Sequence, residues 1–298
     1  MKNTFDKVVS VGCSFGKDLN FIDINGKSLH ENMKFLYPQL VADKLNAECI
    51  NLSKSGIDNE YIIHTTLDYA QNNDNKNTLY LIQFTYMWRL GFPTISIETA
   101  PSWARESLGQ LMQVTDMEKV DWTSLRPISD SMGVPDHDKF YETYIKYFYH
   151  EDICLKILLQ KINLLKTWFE FHNISYKFLT TAQWNYGYHK AHNPGRDFKY
   201  DIARIIRDTI RLDGKKRKSL PFITNEIDKI LSKPKDKNDK KFIEFCSNNN
   251  FVEFTKDLFY IDYWATLNKL NTSSDVHLTK EGHGILSNLI LEKYYNEL

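Results

Sequence analysis

The stretch TLYLIQF, residues 78–84, constrains the fold more than any other part of the chain. It is apolar with almost no break and shows no alternation. A strand with one face in water alternates apolar and polar side chains, whereas an unbroken apolar run suits a strand covered on both faces, as in a parallel sheet. The preceding residues agree. VVSV (8–11) reads as a short buried strand, and YPQLVADKLNAE (37–48) as a helix with Pro38 in its first turn and Leu40, Val41 and Leu45 on one face. CINLS (49–53) is a short strand and EYIIHTTLDYAQNN (60–73) a helix. The first 85 residues therefore read β-α-β-α-β, which predicts a doubly wound α/β sheet.

Further framework elements lie downstream. DICLKILLQKINLLKTWFEF (152–171) predicts a long helix with Ile153, Ile157, Leu158, Leu164, Leu165 and Trp168 on its apolar face. ISYKFLT (174–180) is the next strand, and DLFYIDYW (257–264) carries a last short one. LTKEGHGILSNLILEKYY (278–295) closes the chain as a helix capped by Thr279, with Ile285, Leu286, Leu289 and Ile290 facing inward. Two stretches fall outside this pattern. Residues 86–150 are rich in Trp and Tyr, and residues 186–256 contain the charged runs GKKRK and KPKDKNDKK. The expected organisation is one domain over 1–298, with insertions at about 86–150 and 186–256.

Composition removes several function classes. Lys+Arg and Asp+Glu both number 38, so no net field favours nucleic acid or an anionic membrane. The opening MKNTFDK lacks the apolar core of a signal peptide, and no apolar run approaches membrane-spanning length. The four cysteines, Cys13, Cys49, Cys154 and Cys246, are scattered, in neither a zinc pattern nor a disulfide framework. A reducing location is expected, cytoplasmic or virion-associated, and an oligomer or larger assembly is compatible with these features.

The first strand ends in GCSFG, which places Ser14 between Gly12 and Gly16. A phosphate loop needs four residues between its glycines and a hydroxyl residue after the lysine. Here three residues separate the glycines and Asp18 follows Lys17, where a carboxylate would repel phosphate. The letters match the G-x-S-x-G elbow of α/β-hydrolases, but that elbow lies deep in its sheet and only one strand precedes Ser14. Two readings remain: a nucleophilic serine at the end of the first strand of another α/β fold, or a plain turn using glycine for backbone freedom and serine as a cap.

Three other stretches bear on that choice. NLSKSGIDN places Gly56 and Asn59 in the turn after the second strand, where the Gly56 N–H is free of side-chain obstruction. QFTYMWR places Thr85 where the chain leaves the third strand, with Gln83 and Arg89 nearby; the Thr85 hydroxyl suits either an oxyanion donor or a helix cap. SSDVHLTKEGH supplies His277 as a general base and Asp275 to hold its ring. A metal site at Asp275, His277 and His283 lacks a supporting cysteine or HExxH pattern, so neither metal nor cofactor is expected. His283 instead reads as packing in the first turn of the last helix.

The order of these pieces, Ser14, Gly56, Thr85, then Asp275 and His277, resembles the SGNH (GDSL-type) hydrolase family. Gly12-Cys13-Ser14 stands for its Gly-Asp-Ser block and Gly56 for its second-block glycine. Gln83-Phe84-Thr85-Tyr86 occupies the place of Gly-x-Asn-Asp, and Asp275 and His277 match its last block at a spacing one residue shorter. The resemblance implies a flavodoxin-like three-layer α/β/α sandwich with a parallel sheet. It implies a serine esterase or deacylase with Ser14, His277 and Asp275 catalytic and Gly56 and Thr85 in the oxyanion hole. The implied substrate is a small ester or an acylated carbohydrate, with Asn59, Arg89, Tyr86, Trp88 and Trp184 as candidate contacts; the aromatics suit either sugar stacking or packing. The altered third block keeps open an inactive binding or structural protein of this fold, such as a virion component, and an acyltransferase is a third reading.

Overall fold

The computed structural model describes residues 5–13, 15–16, 21–22, 28–29, 32–54, 57–85, 90–94, 121–125, 147, 150–181, 237–256, 258–261, 264–265, 268, 270 and 278–296. Its centre is a parallel sheet of β1 (Lys7–Val11), β4 (Glu48–Asn51), β5 (Thr78–Phe84) and β8 (Ser175–Thr180), in the order β4-β1-β5-β8. Val11 lies opposite Ile82, and Phe84 opposite Thr180. Every residue of β5 is buried, as its unbroken apolar run requires. Two small antiparallel pairs stand apart: β2 (Phe21–Ile22) with β3 (Ser28–Leu29), and β6 (Leu90–Thr94) with β7 (Asp121–Leu125).

A fifth chain segment continues the sheet beyond β8. Phe178 bridges Phe251 and Thr180 bridges Tyr260, both in parallel sense. The Phe178 N–H donates to Asn250 O at 3.1 Å, and the Val252 N–H donates to Phe178 O at 2.9 Å. Counted in chain order, the sheet runs 2-1-3-4 with this segment fifth, which is the flavodoxin-like winding.

Helices cover both faces. Helix α1 (Tyr37–Leu45) packs on β1 and β4 and against α5 (Lys280–Asn296), where the Lys44 ammonium reaches Ser287 Oγ at 2.7 Å and Asn288 Oδ1 at 2.6 Å. Helix α2 (Asn59–Asn72) packs on β1 and β5 and against α3 (Glu151–Phe171), which lies on β8 and meets α4 (Lys237–Ser247). Thus α1 and α5 share one face, and α2, α3 and α4 the other. Lys161 and Glu60 form an ion pair between α3 and α2. Among the described residues, no helix is long and apolar enough to cross a membrane.

Local residues explain the boundaries. Pro38 stands in the first turn of α1, where a missing N–H costs nothing, and Asp58 caps α2 by accepting from the Tyr61 N–H at 2.9 Å. Thr279 caps α5: its Oγ accepts from the Gly282 N–H at 3.1 Å. The positive-φ residues other than glycine are Asn46, Asn77, Asn173 and Asn250 (φ 53° to 59°) among the described residues. Each stands one or two residues before a segment that enters the sheet. Asparagine tolerates this left-handed conformation better than other non-glycine residues, so the same device reverses the chain at every return.

The structure changes the expected inner faces of two helices. The buried stripe of α3 is Leu155, Leu158, Ile162, Leu165 and Phe169, while Ile153, Ile157 and Leu164 are exposed. In α5, Leu286 and Ile290 are buried, and Ile285 is exposed. Both α3 stripes have helical spacing, and packing against α2, α4 and β8 selects one of them. Of the two expected insertions, 86–89, 95–120, 126–146, 148–149 and 186–236 lie outside the described residues; residues 237–256 supply α4 and part of the edge segment on β8. Leu165→Ala should cost about 2–5 kcal/mol in urea unfolding, and Leu164→Ala about 0.5 kcal/mol or less. Equal losses would contradict this choice of inner face.

Candidate functional site

The chain leaves β1 for β4 on one side and later returns to β5 on the other. Loops from β1 and β5 therefore part at the carboxyl edge, and open α/β sheets bind ligands at such a switch point. Here that point brings the turn after Val11 beside Gln83. The Gly16 N–H donates to Cys13 O at 3.0 Å, closing a turn. Asn51 Nδ2 donates to Gly16 O at 2.6 Å, while Asn51 Oδ1 accepts from the Ser53 N–H at 3.1 Å. The Lys54 N–H donates to Gly12 O at 2.9 Å. The turn is thus tied to the end of β4 on both of its sides.

The two glycines have a packing reason. A Cβ on Gly12 would lie 2.8 Å from Gln83 Cβ and 2.8 Å from its Oε1. A Cβ on Gly16 would lie 2.8 Å from Ser53 Oγ and 3.3 Å from both Gln83 Oε1 and the Tyr37 hydroxyl. The Gln83 side chain at Gly12, and the Ser53 hydroxyl with Gln83 and Tyr37 at Gly16, leave no room for a side chain at either position unless they shift.

Gln83 is fully buried at the end of β5 and joins three elements. Its Nε2 donates to Thr181 Oγ1 at 2.7 Å and approaches Cys13 Sγ at 3.5 Å. Its Oε1 accepts from the Tyr37 hydroxyl at 3.1 Å. Cys13 Sγ and Thr181 Oγ1 are 3.3 Å apart, and Thr181 Oγ1 donates to Phe84 O at 3.1 Å. Burial pushes the Tyr37 phenol well above its ordinary range, so it remains a donor. The Tyr37 N–H donates to His283 Nδ1 at 3.3 Å, and the two rings stack. His283 is buried in the first turn of α5, as its position in the sequence suggests.

Thr85 follows β5 directly. Its backbone N–H donates to Asn59 Oδ1 at 2.8 Å, and its carbonyl accepts from Asn59 Nδ2 at 3.1 Å. Asn59, expected in a turn, is the first residue of α2 and is buried. Thr85 Oγ1 is also buried and has no hydrogen-bond partner among the described residues. It caps none of the described helices. A buried hydroxyl without a partner is uncommon in a folded protein and needs an explanation.

Of the sequence candidates, the structure brings Thr85 and Asn59 into direct contact. Ser14, Gly56, Asp275, His277, Tyr86, Trp88, Arg89 and Trp184 lie outside the described residues. The flanks of several are described: Cys13 and Phe15 are buried, as are Ile57 and Leu278. Thr181 and Tyr37 are not sequence candidates, and Gln83 enters the sequence reading as the first residue of the stretch in place of Gly-x-Asn-Asp and as an alternative oxyanion donor, not as a structural brace. One signal was available: an amide inside an otherwise apolar strand must find partners once both faces are covered. An open groove lined by Lys166, Glu170, Tyr176, Asn250 and Lys293 includes the start of β8, at the edge opposite the switch point.

No family model matches the chain. No curated protein matches it. Among solved structures, the chain is similar to a protein assigned to the G-D-S-L lipolytic family from Desulfitobacterium hafniense DCB-2, at a TM-score of 0.38 and 12% identity, covering 95% of this chain and 97% of that one. It is also similar to phospholipase A1 from Streptomyces albidoflavus NA297, at a TM-score of 0.38 and 8% identity, covering 97% and 99%. Overlap at that level leaves the reading of function to this chain's own topology and residues.

The packing account of Gly12 has a direct check. Gly12→Ala should destabilise by about 1–3 kcal/mol, and adding Gln83→Ala should return part of that loss, because the clashing side chain is gone. Additive losses in the double mutant would show that Gln83 is not what excludes the methyl group.

Proposed function

We propose that the protein is a serine ester hydrolase whose reaction takes place at the switch point between β1 and β5. One observation carries the reading: the unpartnered, buried Thr85 hydroxyl stands at the carboxyl end of the strand paired with the one that leads into Ser14. Asn59 grips the Thr85 backbone from both sides, so the hydroxyl has a fixed base. A preorganised donor of this kind stabilises an oxyanion without reorganising during the reaction. The described start of α5 also supports the reading, since His283, six residues after His277, accepts from the Tyr37 N–H at the start of α1, and the Tyr37 hydroxyl reaches Gln83.

In this reaction Ser14 Oγ attacks the acyl carbon while His277 Nε2 accepts its proton. The carbonyl electron pair moves onto oxygen, which is held by the N–H groups of Ser14 and Gly56 and by the Thr85 hydroxyl. The pair returns, the ester C–O bond breaks, and His277 gives the proton to the leaving alcohol. Water then attacks the acyl-enzyme, with His277 taking its proton. Collapse breaks the bond to Ser14 Oγ, and His277 reprotonates it, releasing the acid. Asp275 orients the imidazole by accepting from Nδ1–H. No cofactor takes part. The substrate class is a small carboxylic ester, and an O-acetylated carbohydrate suits the aromatic set of Tyr86, Trp88 and Trp184.

Ser14→Ala should abolish turnover of p-nitrophenyl acetate and leave the thermal midpoint unchanged. A mutant that keeps most of its turnover overturns the nucleophile assignment, and a folded native protein with no turnover on any acyl ester favours a binding role. Thr85→Val retains the shape and deletes the hydroxyl. It should lower kcat roughly a hundredfold. Its thermal midpoint should hold or rise, because an unsatisfied buried hydroxyl is removed. Near-native turnover with a lowered midpoint would make the hydroxyl structural.

A further inference from the structure

We infer that Gln83 is a positioning residue for the turn after β1, bracing Gly12 and Gly16 through packing on both glycines and a buried hydrogen-bonded strut. The inference rests on the ester hydrolase reading for its catalytic consequence, but its structural content stands on the contacts themselves.

Gln83 fills the space that side chains at Gly12 and Gly16 would take, so it touches the turn at its entrance and its exit. The amide is held from both ends. Thr181, just beyond β8, accepts from Nε2, and the Tyr37 hydroxyl at the start of α1 donates to Oε1. Thr181 also approaches Cys13, the residue before Ser14, so the strut and the turn share a neighbour. A leucine or methionine would fill the same volume and satisfy the apolar surroundings of β5. An amide instead demands partners in fixed directions. The arrangement therefore specifies a geometry as well as filling space. A shift of about 1 Å in a reacting group is enough to lose roughly a hundredfold in rate. The strut ties the β1 turn to β5, β8 and α1, three elements that move little relative to one another in a packed sheet.

The test uses Gln83→Met in the full chain, with Tyr37→Phe and Thr181→Val each cutting one end of the strut. Amide hydrogen exchange is followed at Gly16 and Lys54, whose N–H groups close the turn, and at Val9 and Val11 as controls in β1. Exchange at Gly16 and Lys54 should rise by about tenfold or more in Gln83→Met, with the controls unchanged. With p-nitrophenyl acetate, kcat should fall about tenfold or more while KM stays within about twofold, since the substrate contacts are untouched. A residue that only stabilises the fold would leave kcat per folded molecule alone. Unchanged exchange in a folded variant overturns the inference whatever the activity. Raised exchange with native kcat overturns its catalytic half. If native protein shows no turnover, the hydrolase reading fails and the exchange result alone decides whether Gln83 holds the turn. If Gln83→Met does not fold, Tyr37→Phe and Thr181→Val are judged by the same two readouts.

Discussion

The parallel pairing of β1 with β5, from Lys7 opposite Thr78 to Val11 opposite Ile82, determines what is built at the carboxyl edge. β1 is sandwiched between β4 and β5, so the chain must wind to one side of it and then the other. That reversal sends α1 and α2 to opposite faces and leaves the ends of β1 and β5 adjacent with their loops parting. Gly12 and Gln83 are neighbours for this reason, although they are far apart in the chain.

Burial of β5 on both faces has a second consequence. A glutamine placed one residue before its end has no water to turn to, so Thr181 and Tyr37 supply its partners. The same side chain presses on Gly12 and Gly16. The amino-terminal turn is thus shaped from the outside by β5 and by the segment after β4, and its glycines answer to that crowding. Asn59 acts similarly on the other side: it satisfies the Thr85 backbone and leaves that residue's hydroxyl without a described hydrogen-bond partner.

Much of this was legible in the sequence. TLYLIQF announced a doubly covered strand, and the β-α-β-α-β order predicted the parallel sheet that is observed. Pro38 and Thr279 act locally, so their roles follow from position alone. Sequence spacing places Leu158 and Leu165 of α3 inward, as observed, but also Ile153, Ile157 and Leu164, which are exposed; the helix is apolar around more than one face, and its packing against α2, α4 and β8 distinguishes Leu165 from Leu164. The glycines beside Ser14 looked like sites of backbone freedom. Their crowding by Gln83 and Ser53 is tertiary, and no local pattern encodes it. Gly56, Asp275 and His277 remain sequence assignments, with Ile57 and Leu278 as their described neighbours.

The claim that most depends on this architecture is that the turn after β1 presents a reactive serine to the switch point. A fluorophosphonate probe tests it without knowledge of the substrate, because only a serine with an activated hydroxyl displaces fluoride from phosphorus at a useful rate. Native protein treated with the probe, digested and mapped by mass spectrometry should carry a single adduct on Ser14, and prior unfolding should abolish it. An adduct on a different residue, or none on folded protein, would contradict the account.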